Sequence, residues 1–203
     1  MSKKPTTDLP HRCTWCGDDP LYVAYHDNDW GVSVHDDRKL FEMLTLEGAQ
    51  AGLSWITILR KRENYKLAFD NFDIDKVAAY DDSKLESLMG NAGIVRNRLK
   101  ISSTIDNARA VQKIRQEHGS LDTFLWSFVD GETRHNRWKT LAEIPAQTEL
   151  SVQLSKALKG YGCRFVGPTI CYALMQSIGM VNDHTTDCFR HRKLITLTGT
   201  DSL

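Results

Sequence analysis

The chain lacks a charge of one sign: 26 Lys and Arg are matched by 26 Asp and Glu over 203 residues. It therefore has no net field to draw it onto nucleic acid, and a polyanion must be met by cations gathered on one face. It also lacks any apolar run near the roughly 20 residues needed to cross a bilayer. The opening MSKKPTTDLPHR is polar, with no apolar stretch after its lysines, so neither a secretory signal nor a transit peptide is predicted. Proline (5) and glycine (13) are sparse, and no repeat or low-complexity segment interrupts the chain. The five cysteines are an odd number, which argues against a disulfide framework and for a reducing, cytoplasmic setting. With 41% hydrophobic and 26% charged residues the chain has material for one ordinary core, which excludes disorder as the main state.

What is there is mostly a helical period. Asp36 and Asp37 can cap a helix carrying Leu40, Met43, Leu44 and Glu47. Ser54 can start one helix through WITILRKRENYKLAF, and Asp75 and Asp82 precede short helical pieces. A longer helix through Ile101, Ile105 and Ala108 ends near Gly119, and LDTFLWSFV reads as another. Residues from Asp130 to about Pro145 read as a loop. Thr148 can cap a helix ending at Gly160 and Gly162; RFVGPT then forms a hairpin, with Pro168 in the first turn of TICYALMQSI. Period-two alternation is scarce, so the expected class is all-α, without a sheet, built from about ten short helices.

Four groups of residues carry chemistry. His184 and Cys188, spaced for one helix face, can pair with Cys13, Cys16, His11 or His26 near the other end of the chain to make a four-ligand zinc site. Cys13 and Cys16 alone equally fit a redox pair, and Cys188 equally fits an incidental thiol. Glu47 lies on the apolar stripe, where a carboxylate needs a structural partner or lines a pocket. Trp15, Tyr22, Tyr25, Trp30 and Trp55 crowd the front of the chain, suited either to stacking on a planar or cationic base or to core packing. Basic residues gather at Arg60, Lys61 and Arg62, at Arg96, Arg98 and Lys100, and at Lys156, Lys159 and Arg164. The last group flanks the RFVGPT hairpin, whose backbone amides suit a phosphate.

Taken in order, PLYVAYHDNDWGV, LEGAQAGLSWITILRKRENY, AGIVRNRLKI and GCRFVGPTICYALMQSIGMVNDH resemble the 3-methyladenine DNA glycosylase I family of the helix-hairpin-helix DNA glycosylase superfamily, over about residues 12 to 190. The resemblance implies an all-α helix-hairpin-helix fold of two helical lobes with a lesion pocket between them and a single structural zinc ion tying the termini. It implies zinc on Cys13, His26, His184 and Cys188, with Cys16 a bystander. It places the pocket acid at Glu47 and the pocket rings at Tyr22, Tyr25, Trp30 and Trp55, with Trp15 close by. It puts a wedge at Leu53 and DNA anchoring on Lys156, Lys159, Arg164, Gly167 and Thr169. The implied reaction is excision of 3-methyladenine from alkylated duplex DNA by a monomeric enzyme without an organic cofactor, leaving an abasic site.

The sequence departs from the wider superfamily at three places. Phe165 stands where the hairpin commonly has a second glycine, Asn182 stands at the usual catalytic Asp with Asp183 displaced by one, and Thr169 stands at the lyase lysine. These departures predict a monofunctional enzyme confined to bases already weakened by alkylation. Two rival classes fit less well. A binding module without activity needs no Glu47 or ring cluster, and a zinc deaminase needs His-x-Glu and Pro-Cys-x-x-Cys strings that do not occur. Residues 1–11 and 191–203 are expected to be tails around a glycosylase domain at 12–190.

Overall fold

The structure, a computed structural model, describes residues 10–199. The order of elements is α1 (Pro20–Asn28), α2 (Asp37–Gln50), α3 (Trp55–Leu59), α4 (Arg62–Ala68), α5 (Ile74–Ala78), α6 (Asp82–Gly90), α7 (Arg98–His118), α8 (Leu121–Trp126), β1 (Arg134–His135), α9 (Glu149–Gly160), α10 (Pro168–Ser177), β2 (Val181–Asn182) and α11 (Phe189–Thr198). The all-α expectation holds except for β1 and β2, which pair in parallel. Two residues per strand are too few to leave an alternating pattern in the sequence.

Local chemistry sets the helix ends. The Asp36 side chain accepts from Lys39 N at the start of α2, and Thr148 with Ser151 forms a reciprocal capping box on α9. The expected single helix after Ser54 is two: α3 and α4 are separated at Arg60 and Lys61, and the buried residues of each continue one apolar side, which hides the break. The short helices α5 and α6 are capped by Asp73 and Asp81, slightly earlier than expected.

Helix α2 runs through the middle, packed by α3, α7, α8 and α10, and every residue from Leu40 to Ala49 is buried. The lower body gathers α5, α6 and α8 around α7, while α9 and α10 pack together on the other side of α2. The stretch after Cys188, expected as a tail, carries α11; His191 and Leu194 are buried, and Phe189 N donates to His11 O at 3.0 Å. Residues 1–9 and 200–203 lie outside the described residues. Among the described residues no helix is long and apolar enough to cross a membrane.

Candidate active site

Glu47 and five rings meet at one cavity. It holds about 210 Å³ and is lined by Trp15, Tyr22, Tyr25, Trp30, Glu47, Gln50, Trp55, Ile144, Ala173 and Gln176. Asp19 and Pro20 start α1, which turns Tyr22 and Tyr25 toward the cavity; Asp19 also pairs with Arg60 at 2.6 Å, fixing α1 against the end of α3. Trp15 lies 4.9 Å from Trp30 and 5.0 Å from Tyr22 between ring centroids, and Tyr25 lies 5.3 Å from Trp55. Among the described residues, four buried polar side-chain atoms have no partner, and the indole N–H groups of Trp15 and Trp55 are two of them. Both residues line the cavity.

Burial pushes the Glu47 carboxyl up to about 8, against a smaller opposing pull from a hydrogen bond with Ser177. No cation approaches it within ion-pair distance among the described residues. The pocket therefore holds a carboxyl whose ionisation is opposed by burial and would be favoured beside a cation.

Gln50, Ile144, Ala173 and Gln176 were not singled out in the sequence. Gln50 is a polar residue in the last turn of α2, but Ile144 comes from a loop and Ala173 and Gln176 from α10, and only the tertiary fold brings these together. Neither Asn182 nor Asp183 lines the cavity. Asn182 is spent on backbone: its Nδ2 donates to His191 O at 3.1 Å and its Oδ1 accepts from His184 N at 3.3 Å. Asp183 accepts from Asn136 (2.6 Å) and Trp138 (2.8 Å) on one oxygen, and from Tyr172 (2.5 Å) and Gln176 (2.8 Å) on the other. Its lone pairs are filled, so it anchors the 136–138 loop and Gln176 and has none left for a sugar.

Cys13, His26, His184 and Cys188 form a buried cluster whose ligand atoms all lie within 4.8 Å of one another. His184 Nδ1 is 3.5 Å from each sulfur, and Cys188 Sγ is 3.5 Å from His26 Nε2. Tetrahedral zinc with ordinary Zn–S and Zn–N bonds needs S···N edges of about 3.5 Å. The far nitrogens have acceptors: His26 Nδ1 sits 2.7 Å from Asp27, itself held by Arg12, and His184 Nε2 donates to Trp30 O at 3.1 Å. Those bonds leave the inward nitrogens unprotonated, as metal binding requires. The Cys188 thiol is pulled strongly down, first by Cys13 and then by His184 and His26. Cys16 lies outside the cluster, its Sγ directed to Cys13 O at 3.1 Å. Cys163 and Cys171 are core thiols, each pushed up to about 12 by burial.

On the remaining surface, Leu53 is 40% exposed at the turn between α2 and α3. Lys156, Lys159 and Thr169 are exposed around the α9–α10 connection, and the two lysines have no ion-pair partner among the described residues. Arg164 is exposed as well, and its guanidinium pairs with Asp106 at 2.9 Å. The N-terminus of α10, with Gly167 as its cap residue, has no side-chain cap. Phe165 adopts φ +54°, so the backbone keeps the left-handed conformation that glycine would take more cheaply. The Arg60–Arg62 cluster is internal: Arg60 holds Asp19, Lys61 holds Ala92 O, and Arg62 holds Glu42.

Comparison with known proteins matches this arrangement. The methyladenine glycosylase family profile matches residues 15–191. DNA-3-methyladenine glycosylase 1 of Escherichia coli K12 is 53% identical over 177 residues, 87% of this chain and 95% of that protein. DNA-3-methyladenine glycosylase of Haemophilus influenzae is 45% identical, over 87% of this chain and 96% of that protein. A crystal structure of 3-methyladenine DNA glycosylase I superposes with a TM-score of 0.86 at 53% identity, covering 88% of this chain and 98% of that one. A Staphylococcus aureus structure addressing 3-methyladenine recognition gives 0.86 at 36% identity, covering 88% and 95%. A match that spans nearly the whole described chain in both sequence and structure has one reading: the chain belongs to the 3-methyladenine DNA glycosylase I family.

Proposed function

We propose that this chain is a DNA-3-methyladenine glycosylase that hydrolyses the N-glycosidic bond of 3-methyladenine in alkylated duplex DNA, releasing the free base and leaving an abasic strand. The observation that carries the reading is a buried carboxyl without a cation, Glu47, in a cavity walled by rings. A nucleotide alkylated at N3 is cationic. Entering the cavity, it favours the ionised form of Glu47, and each ring face contributes roughly 0.5–2 kcal/mol toward a cation. Glu47 accepts a hydrogen bond from the exocyclic amino group, which guanine lacks at that position, and Trp15 and Trp55 offer their unpaired N–H groups to ring nitrogens. On cleavage the bonding pair moves into the base, which leaves neutral, while water adds to the sugar carbon and gives up a proton. The leaving group is activated before it arrives, so the enzyme needs extrusion and recognition more than acid catalysis.

The α9–turn–α10 unit acts as the helix-hairpin-helix anchor. Lys156, Lys159 and the uncapped amides around Gly167 and Thr169 hold phosphates, and Leu53 fills the gap left by the extruded nucleotide. Arg164 acts through Asp106 and not as a free cation. With Asn182 committed to backbone and Thr169 at the lyase position, the enzyme forms no Schiff base and ignores neutral lesions such as hypoxanthine. It works as a monomer in the reducing cytoplasm. Cys13, His26, His184 and Cys188 would hold a zinc ion, which would tie the two ends of the domain together, and the His184 bond to the Trp30 carbonyl steadies one pocket ring. With four protein ligands the site leaves no position for a reacting water.

Incubating methylated duplex DNA with the protein and assaying for free base tests the activity. Release of 3-methyladenine with an unbroken strand is expected; no release, or an adduct trapped by borohydride, overturns it. Metal analysis of freshly purified protein is expected to return one zinc per chain, and its absence would remove the metal from this account.

A further inference from the structure

Residues 50–53 form a turn between the pocket helix α2 and α3. Leu53 N donates to Gln50 O at 2.6 Å, Ala51 has φ −43° and ψ 116°, and Gly52 has φ +75°. This is a type II turn, which needs a positive φ at its third residue and so needs Gly52. In such a turn the central carbonyl, here that of Ala51, points away from the turn's own hydrogen bond. Left without a partner, its peptide plane can rotate to the type I form, because glycine tolerates both. Such a rotation leaves the chain path on either side nearly unchanged, so a partner that holds both Ala49 O and Ala51 O fixes the place of the turn as well as the plane of its peptide.

Lys100, in the first turn of α7, meets that carbonyl. Its Nζ donates to Ala51 O at 2.6 Å and to Ala49 O at 2.8 Å. It has no carboxylate partner among the described residues, unlike Arg98 beside it, which pairs with Glu86. Burial pulls its ammonium below the usual lysine range. A cation that donates to two carbonyls at the C-terminus of α2 caps that helix favourably and at the same time fixes where both carbonyls stand. Further along α7, Asn107 brackets the hairpin: its Oδ1 accepts from Arg164 N at 2.8 Å and its Nδ2 donates to Arg164 O at 3.1 Å. One helix thus grips both the wedge turn and the DNA-anchoring hairpin.

The geometry points to Lys100 as a positioning residue that ties the end of α2 and the turn carrying Leu53 to α7, so that Leu53 is held in place for insertion before DNA arrives. This deepens the proposed function and rests on it, because the wedge role of Leu53 is part of that reading. Lys100 touches neither base nor sugar; it acts through the turn.

The test is a double-mutant cycle on base release. Single-turnover release of 3-methyladenine from methylated duplex DNA is measured for wild type, Lys100→Met, Leu53→Ala and the double variant. Affinity for free 3-methyladenine is measured in parallel from quenching of pocket tryptophan fluorescence. A misplaced positioning group costs on the order of tenfold or more in rate. Lys100→Met is expected to lose about that much, to keep wild-type affinity for the free base, and to add almost nothing to the loss already caused by Leu53→Ala. Lys100→Arg, which keeps two donors, is expected to restore most of the rate. If Lys100→Met does not fold, the arginine variant carries the test: wild-type release supports the clamp, and a tenfold loss overturns it. Additive losses, an unchanged Lys100→Met rate, or a parallel loss of free-base affinity would also overturn it. Failure of wild type itself to release base counts against the proposed function.

Discussion

Two glutamates on α2 are equally hidden and opposite in meaning. Glu42 and Glu47 are 5% and 3% exposed. Glu42 Oε1 accepts from Arg62 Nε at 2.6 Å, and the same guanidinium reaches toward Asp29. Glu47 has Ser177 and a wall of rings, and burial raises its carboxyl to about 8. What separates them is the partner, not the burial. A carboxylate matched to a cation inside the protein is part of the fold, whereas one left unmatched is, on the proposed function, the partner of a cation from outside.

Removing the unmatched group should have the largest effect on activity. Glu47→Ala is expected to cut single-turnover release by about 100-fold or more while the protein still folds; normal release by the folded fraction would collapse the distinction. Glu42→Gln should do the reverse. It strands Arg62 and is expected to cost about 3 kcal/mol in denaturant unfolding, with the folded fraction releasing base normally.

The pH dependence sharpens the contrast, because activity and stability should move in opposite directions. Release by wild type under kcat/KM conditions is expected to rise with pH through about 8 and level off above it as Glu47 ionises, and Glu47→Gln should flatten this limb. In the fold a raised carboxyl pKa means that the native state keeps a proton the unfolded chain has lost. The stabilisation is present below the unfolded carboxyl range and is lost as pH climbs through about 8. Above that pH, Glu47→Gln is expected to be the more stable protein, by a few kcal/mol at most. A Glu47→Gln variant less stable than wild type at pH 9 would make Glu47 a structural residue after all.

The smallest effect concerns charges outside the pocket. Lys156→Ala with Lys159→Ala is expected to weaken damaged and undamaged duplexes alike and to lower the slope of log affinity against log salt by about 2. A loss confined to damaged DNA would tie these lysines to recognition instead.

The same helix shows why some of the site could be read from sequence and some could not. Glu47 stands out because it falls on the Leu40–Leu44 stripe. Glu42 does not, because it lies off that stripe and looks solvent-facing; it is buried only because neighbours surround α2 on every side. The rings and the Cys and His residues stood out as candidates because each type is unusual where it stands, but spacing left Cys16 and His11 open as ligands, and only the family resemblance selected Cys13 and His26. Gln176 and Ile144 are ordinary residues on separate elements, and Lys100 looks like any basic residue until the fold brings Ala49 and Ala51 to it. Helix α11 was missed because its apolar residues, Phe189, Leu194, Ile195 and Leu197, leave no i, i+3, i+4 stripe across the charged RHRK run.

The saturation of Asp183 by Asn136, Trp138, Tyr172 and Gln176 bears on how the protein treats the undamaged genome. Any scanning enzyme will sometimes pull an intact nucleotide into its pocket. An anion poised at the sugar would then help to sever a sound bond, and each such slip would itself be a lesion. Here that charge is locked away in packing, and on the proposed chemistry an intact adenine simply returns to the helix. Accuracy then resides in the fragility of the damaged nucleotide, and an error of search does no harm.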